Sequence, residues 1–267
     1  MPSVNSEIRR ILKEKDQAIK TGTRAMLDVL KELQRQTLDE IGRAAITEWD
    51  AYHLKEMLNS IEHQIDNFSA KGKAEADGLL EESWGMGRNL VDIPLAEAGI
   101  YTGFRLSTSV LDTLKDFTFH KIEGLSEAAW DKIRGELTLG VMGGKTPQEV
   151  AKAVGTNLSD PSIFTSIARR AEVITQMEMG RVFSTATELR MEEAADHVDG
   201  LEKMWRHVGH PKVPRSSHLA ADGQHVPVNE SFNIGGVQMM YPRDPGAPIE
   251  ETINCGCDHI PFHASWA

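Results

Sequence analysis

Residues 6–35 read SEIRRILKEKDQAIKTGTRAMLDVLKELQR, and this segment indicates the architecture most directly. Its apolar side chains recur every three or four positions and therefore line one face of a helix. Ser6 precedes them and can cap the helix, because a serine oxygen accepts a backbone N–H that the first turn leaves unpaired. We predict a long amphipathic arm whose apolar stripe binds a partner. The stripe consists of Ile8, Leu12, Ile19, Met26, Leu30 and Leu33.

The charge of this arm is opposite to that of the rest of the chain. Residues 1–35 contain eight Lys or Arg and five Asp or Glu, so the arm carries +3 while the whole chain carries −11. The acidic total argues against general coating of nucleic acid, which requires a basic surface. For the arm itself two interpretations stay open: a solvated helix face, or a contact with an acidic partner or DNA.

Helical periodicity continues to about residue 197. We predict helices over residues 38–68, 70–91, 107–120, 126–142, 148–154 and 161–197, with a loop at 93–99. Gly85 and Gly87 weaken the second of these helical segments, residues 70–91, because glycine disfavours helix interiors. Thr146, followed by Pro147 and by Glu149, gives a strong helix start signal. No run of 18 apolar residues occurs, so no membrane-spanning helix is expected.

From Trp205 onward proline and glycine become frequent and the helical period ends. Apolar residues come in short runs there, a pattern typical of short strands joined by turns. The predicted fold class is mainly α in the N-terminal and central regions, with a small, turn-rich α+β C-terminal domain of short strands. The expected domains are 1–104 (helical arm or bundle), 105–200 (central helical region) and 201–267 (C-terminal domain).

Histidine and cysteine are concentrated in this last domain. Six of the ten histidines and both cysteines follow residue 206. A hairpin turn at Asp222–Gly223 would place His218 diagonally across from His225. A straight strand would separate the Cys255, Cys257 and His259 side chains by about 6.6 Å each, which is too far for one metal ion. A bend at Gly256 would bring the two thiols together.

Tetrahedral zinc takes four nitrogen or sulfur ligands, so a structural zinc ion is one interpretation of this cluster. Buried, reduced and inert thiols are a second, and a strained disulfide is a third. The candidate metal ligands are His218, His225, Cys255, Cys257 and His259.

One ordered set of residues runs through the same domain and resembles a known family. It consists of Trp205, Arg215-Ser216-Ser217-His218, Asp222-Gly223, Phe232, Tyr241-Pro242-Arg243-Asp244-Pro245 and Asn254-Cys255-Gly256-Cys257. This order is similar to that of the C-terminal domain of the phage Mu F-like minor head proteins, and the resemblance covers about residues 120–262. Gly256 stands where the family commonly has arginine, and Met177 where it often has threonine.

The resemblance implies a structural, non-catalytic protein of the phage head. Such a protein is assembled in the host cytoplasm, is present in several copies in the virion and associates with the portal protein, the major capsid protein or both. It supports head morphogenesis and DNA packaging or delivery. Domains of this family are also sometimes fused to toxins. We expect the motif residues Trp205, Arg215, Asp222, Gly223, Pro242, Asp244 and Asn254 to act structurally.

The competing hypothesis is an enzyme. A metal-dependent hydrolase acting on nucleic acid or peptidoglycan would use the His/Cys cluster. No HExxH sequence, Walker loop or glycine-flanked nucleophile accompanies that cluster. We therefore expect no catalytic residues and no established cofactor.

Overall fold

Long helices fill the chain up to residue 195, and short strands follow. The computed structural model describes residues 3–43, 49, 51–100, 107–158, 160–207 and 214–266. The predicted fold class is confirmed. The helices are α1 (Val4–Arg43), α2 (Ala51–Glu97), α3 (Ser109–Met142), α4 (Pro147–Val154), α5 (Ile163–Ala195), α6 (Ser216–Ala220) and α7 (Ile249–Thr252). The strands are β1 (Glu202–Arg206), β2 (His225–Pro227), β3 (Phe232–Ile234), β4 (Val237–Met239) and β5 (Asp258–Phe262), and a 3-10 turn covers Ala264–Trp266.

Helix α2 is longer than the sequence predicts. It continues through Gly85, Gly87 and Pro94, and the predicted loop at 93–99 begins only after Glu97. Gly87 is required by packing, because a Cβ at this position would collide with the carbonyl oxygen of Phe183 on α5. A glycine that lowers helix propensity thus allows two helix backbones to approach closely.

Helix α3 also joins two predicted helices into one. The sequence prediction leaves residues 121–125 outside a helix, whereas the structure carries the helix through them. Ile122 and Leu125 are buried there. Core packing therefore maintains the helix through residues whose local sequence does not predict one.

The start of α4 agrees with the sequence prediction in detail. The Thr146 hydroxyl accepts the Glu149 N–H at 3.3 Å, and the Glu149 carboxylate accepts the Thr146 N–H at 2.7 Å. This is a capping box with proline at the first helical position. The predicted end of α3 at Gly143–Gly144 is also confirmed, since α3 stops at Met142.

The chain forms two compact units, and neither is a continuous segment. Unit 1 contains residues 1–20, 78–114 and 176–267, and unit 2 contains residues 21–77 and 115–175. The division therefore differs from the three consecutive domains expected from the sequence. Helices α1, α2, α3 and α5 each contribute residues to both units.

The apolar stripe of α1 is part of the chain's own core. In unit 1 it packs with Leu90, Phe183 and Ile260. Five of its six residues are buried, and Ile19 is partly exposed. The prediction that this stripe binds a partner is wrong, because its side chains already cover the chain's own apolar surface. The buried members are Ile8 and Leu12 in unit 1, and Met26, Leu30 and Leu33 in unit 2.

Two small antiparallel sheets organise the C-terminal part of unit 1. Strand β1 lies between β2 and β5, with Met204 opposite His225 and Trp205 opposite His259. Strands β3 and β4 form a hairpin closed by Gly235 and Gly236, both at positive φ, as two-residue hairpin turns require. Among the described residues, no helix combines the length and the apolar character needed to cross a membrane.

Candidate metal centre

Three of the five predicted ligands come together in unit 1. The ligand atoms of His218, Cys255 and Cys257 all lie within 4.8 Å of one another. The Nδ1 atom of His218 is 3.6 Å from the Cys255 sulfur and 3.4 Å from the Cys257 sulfur. All three side chains are buried, and both cysteines are free thiols. Sulfur and nitrogen atoms in this arrangement suit a soft divalent metal ion.

The backbone that brings them together differs from the predicted one. His218 lies on the one-turn helix α6 and not on a strand opposite His225, so the predicted hairpin is wrong. The Gly223 N–H donates to the Trp205 carbonyl at 2.9 Å, so the turn at Asp222–Gly223 joins the chain to β1. That pairing makes β1 the partner of β2.

The two cysteines precede β5 and do not belong to it. The strand begins at Asp258, so the two-residue period expected for Cys255, Cys257 and His259 does not extend through them. Asn254 adopts a left-handed conformation with φ of 53°, and its N–H lies 3.1 Å from the Met177 sulfur. This turn, and not a positive φ at Gly256, reverses the chain before the cysteines.

Glu251 orients the histidine of the cluster. Its carboxylate oxygen Oε2 accepts a hydrogen bond from His218 Nε2 at 2.8 Å. An ionised carboxylate can only accept, so Nε2 carries a proton and Nδ1 is the nitrogen directed at the sulfurs. Arg215 holds the segment between Glu251 and the cysteines, because its Nη2 donates to the Ile253 carbonyl at 2.7 Å.

A fourth residue, His207, touches the cluster from the end of β1. Its Nδ1 is 3.6 Å from the Cys257 sulfur, and its backbone N–H donates to the Asp222 carboxylate at 2.8 Å. His207 belongs to the histidine-rich segment but is not among the ligands predicted from the sequence. Its position two residues after the motif residue Trp205 could have indicated that it lies near the cluster. No spacing in the sequence indicates that Glu251 lies there.

The two thiols influence each other's ionisation. A hydrogen bond from Cys257 lowers the pKa of the Cys255 thiol well below its usual range, and His218 and Arg243 act in the same direction. The same bond and burial raise the pKa of Cys257, which keeps its proton. Burial lowers the pKa of His218, but the bonds to Cys255 and Glu251 outweigh burial and raise it. Thiolates are the form that binds metal.

The other two predicted ligands lie elsewhere. His225 Nδ1 is 2.6 Å from Glu202 Oε2, and its ring packs on Phe262 with centroids 4.8 Å apart. His259 Nε2 is 3.1 Å from Glu188 Oε2, and its ring stacks on Tyr241. Neither belongs to the group of converging ligand atoms in the part of the chain described. Both are placed by their pairing with β1, which the sequence prediction did not contain.

The remaining residues of the ordered motif pack or form hydrogen bonds within the C-terminal part of unit 1. Trp205 contacts His218 edge-on with centroids 5.5 Å apart, and contacts Phe232 at 5.3 Å. Asp244 holds its own loop by accepting the N–H groups of Met240 and Gly246 at 2.8 and 2.7 Å. Hydrogen bonds join Asp222 to the His207 N–H and Arg215 to the Ile253 carbonyl, and the Asn254 N–H lies against the Met177 sulfur. Pro242 is buried.

A buried set of charges lies next to the cysteine segment. Asp258 pairs with Lys15 of α1 at 2.5 Å, and Arg243 lies 3.9 Å from its other oxygen. Arg243 has a φ of 67° and donates to the Gly180 carbonyl at 3.3 Å. Burial lowers the pKa of Lys203, which pairs with Glu188. These pairs connect the C-terminal strands to α1 and α5 within unit 1.

The basic residues of the arm are partly neutralised. Four of its eight Lys and Arg side chains form ion pairs with nearby acids. Phosphate groups would therefore compete with carboxylates for these cations, which reduces the electrostatic gain from binding DNA. The four are Arg10, Lys15, Lys31 and Arg35.

This chain has few recognisable relatives among known proteins. No family profile and no solved structure matches it. It is 28% identical over 155 residues to the uncharacterized protein YqbB of Bacillus subtilis (strain 168), a match that covers 57% of this chain and 48% of YqbB. It is also 28% identical over 128 residues to the NAD(+)--arginine ADP-ribosyltransferase EFV of Enterococcus faecalis (strain ATCC 700802 / V583), covering 48% of this chain and 25% of the transferase. The chain thus spans half or less of the length of these relatives.

Proposed function

We propose that the chain is a structural minor head protein of a tailed bacteriophage. In this role it associates with the portal vertex and the capsid interior, and it supports head morphogenesis and DNA packaging or delivery. The proposal rests on the ordered motif from Trp205 to Cys257, which resembles the C-terminal domain of the Mu F-like minor head proteins.

One structural observation supports the proposal most strongly. Motif residues separated by up to 52 positions contact one another or hold the turns that bring the others together. Trp205 packs against His218, and Arg215 binds the carbonyl immediately before Asn254. An ordered set of residues that forms one connected structure is more informative than the same letters scattered over a surface.

The similarity to the ADP-ribosyltransferase names no head protein and carries little weight for or against this proposal. The match covers only a quarter of that protein, so most of the transferase has no counterpart here. The resemblance to the Mu F-like family implies domains that are sometimes fused to other functional domains, toxins among them, and a module shared with a longer protein would give such a partial match. We therefore do not extend the transferase activity to this chain.

The burial of the His/Cys cluster favours a structural role over the hydrolase hypothesis. His218, Cys255 and Cys257 are 2%, 4% and 1% exposed. A catalytic metal needs an open coordination position that substrate and water can reach. The side chains described here are arranged instead like those of a closed site.

The decisive experiment is a protein inventory of purified virions. Particles of the phage that encodes this chain would be treated with nuclease and protease, banded in a density gradient and analysed by quantitative mass spectrometry. We expect the chain in a few copies per head, with the portal protein as the positive control and an abundant host enzyme as the negative control. Particles that contain portal protein but lack this chain would contradict the proposal.

A second experiment tests the portal contact. Full-length tagged chain would be mixed with purified portal protein and with purified major capsid protein in separate pull-downs. Retention of the portal protein supports association with the vertex, and retention of neither protein would contradict it. A salt series on the same samples distinguishes DNA-bridged capture, which weakens steeply with salt, from direct contact.

A further inference from the structure

The spacing of the cluster matches the dimensions of a zinc tetrahedron. Zinc–nitrogen bonds of about 2.0–2.1 Å and zinc–sulfur bonds of about 2.3 Å at tetrahedral angles place nitrogen and sulfur about 3.6 Å apart. The three nitrogen–sulfur distances in the cluster are 3.6, 3.4 and 3.6 Å. One His218 nitrogen also faces both sulfurs at once, as it would if all three bound a common atom.

The surroundings of His218 fit the same interpretation. A histidine that binds metal through one ring nitrogen usually donates its other N–H to a carboxylate, which fixes the ring. His218 does this with Glu251 at 2.8 Å. Trp205, which is fully buried, packs edge-on against the ring and keeps water away from that side.

His207 is the candidate for a fourth ligand. Its Nδ1 lies 3.6 Å from the Cys257 sulfur but outside the group of ligand atoms that lie within 4.8 Å of one another, so its ring would have to turn toward the metal to complete the tetrahedron. The Asp222 carboxylate fixes the backbone of His207 and thereby keeps the ring within reach. Asp222 is a positioning residue in this arrangement and does not touch the metal.

The geometry points to a structural zinc site formed by His207, His218, Cys255 and Cys257. Two thiolates balance the charge of Zn²⁺, so the buried site carries no net charge. Four protein ligands leave no open position, which makes the site structural. It ties together the end of β1, helix α6 and the segment before β5, where strands of three to five residues supply little core of their own.

Metal content tests the site directly. Full-length chain would be produced in zinc-supplemented medium, purified without chelators and analysed by elemental mass spectrometry. We expect one zinc ion per chain in the wild type and in the matched control His225→Ala, and none in Cys257→Ser or His218→Ala. A wild type with only traces of zinc, or a Cys257→Ser variant that retains a full equivalent, overturns the proposal.

Substitutions at two adjacent glutamates test the site without removing any of the four proposed ligands. Glu251→Gln weakens the charged partner of His218 and should lower zinc affinity about 10–100-fold in competition with a chelator. Glu250→Gln changes an exposed neighbour and should leave the affinity unchanged. Circular dichroism before the titration confirms that both variants are folded. Equal affinities in the two variants would contradict the role given to Glu251.

Cobalt substitution tests the fourth ligand. Co²⁺ bound by two thiolates and two imidazoles gives intense visible bands typical of tetrahedral coordination and a sulfur-to-metal charge-transfer band. In His207→Ala we expect an altered visible spectrum and an affinity at least about tenfold lower, with the charge-transfer band retained. A spectrum and affinity identical to the wild type would show that His207 is not a ligand.

Discussion

Gly87 shows how much a single residue can depend on its partner helix. From the sequence, its effect is a loss of helix propensity. In the structure, its missing side chain lets α2 approach α5 closely enough for the Thr187 hydroxyl to donate to the Gly87 carbonyl at 3.1 Å. The missing side chain that lowers helix propensity within α2 is therefore required for the close contact between α2 and α5.

Alanine substitutions at two neighbouring glycines measure this contact. In Gly87→Ala the new Cβ would collide with the Phe183 carbonyl oxygen and lie 2.9 Å from the Ala186 Cβ. We expect a loss of about 1–3 kcal/mol in the free energy of unfolding, measured by urea denaturation. Gly85→Ala meets nothing within 4 Å and should stabilise the helix by up to about 1 kcal/mol. Similar values for both variants would contradict the close approach.

Two lysines of α1 contrast a buried ion pair with an exposed one. Lys15 is 2% exposed and is paired with fully buried Asp258. Lys15→Ala leaves that carboxylate buried with only Arg243 nearby, and should cost about 3 kcal/mol. Lys31 pairs with Asp28 at 2.6 Å on the surface, so Lys31→Ala should cost less than about 1 kcal/mol. Urea unfolding at pH 7 compares them, and equal losses would refute the distinction.

At the level of residues, the sequence predicted part of the candidate metal centre. It identified Cys255, Cys257 and His218, because their residue types and their clustering are visible in the chain. It could not identify Glu251 or select His207, since their roles depend on a helix and a strand meeting in space. It chose His225 and His259 from spacing alone, and strand pairing places them elsewhere.

At the level of elements, the start of α4 was predicted best and strand pairing least well. The capping box of α4 is local, so four consecutive residues contain all of the information. The hairpin predicted at Asp222–Gly223 is not formed. An Asp-Gly turn can be followed by pairing with a strand other than the preceding segment, and here the chain after the turn pairs with β1. A strand of three residues has too few alternating apolar and polar positions to specify its partner strand. Packing against the rest of the domain fixes the pairing instead.

The cap of α4 should depend on pH. The Thr146 backbone N–H and then its hydroxyl lower the pKa of Glu149 below its ordinary value of 4.5. A carboxyl group with a lowered folded-state pKa stabilises the fold above that ordinary value, and this contribution disappears as pH falls through the folded-state pKa. Thr146→Ala should cost about 0.5–2 kcal/mol near neutral pH and less in acid.

The measurement is the thermal unfolding of Thr146→Ala and of the matched control Thr146→Ser between neutral and acidic pH. Thr146→Ser retains the hydroxyl and should follow the wild type. Alanine keeps the backbone N–H that binds the Glu149 carboxylate, so a Thr146→Ala deficit that is the same at every pH would show that the bond from the Thr146 hydroxyl to this carboxylate adds nothing to the cap.

At the level of the whole molecule, the N-terminal segment is a structural part of unit 1. Ile8, Ile11 and Leu12 are buried against Phe183 and Ile260, which lie far away in the sequence. Removing residues 1–20 should therefore expose the apolar surface they cover, with lower thermal stability and faster proteolysis of the C-terminal strands. Lys31→Ala, an exposed substitution on the same helix, is the control and should have little effect. A shortened chain that melts like the wild type would restore the hypothesis of a separable arm.

The division into two discontinuous units also sets an order for biosynthesis. All of unit 2 is encoded before residue 176, whereas unit 1 needs a final segment of residues 176–267. A ribosome therefore releases every residue of unit 2 before the last third of the chain exists, and domains generally fold as units during synthesis. Until translation reaches that segment, residues 1–20 and 78–114 have no Phe183 or Ile260 to cover them. A nascent chain stalled near residue 176 has all of unit 2 but neither Phe183 nor Ile260, and it should be the form most in need of a chaperone.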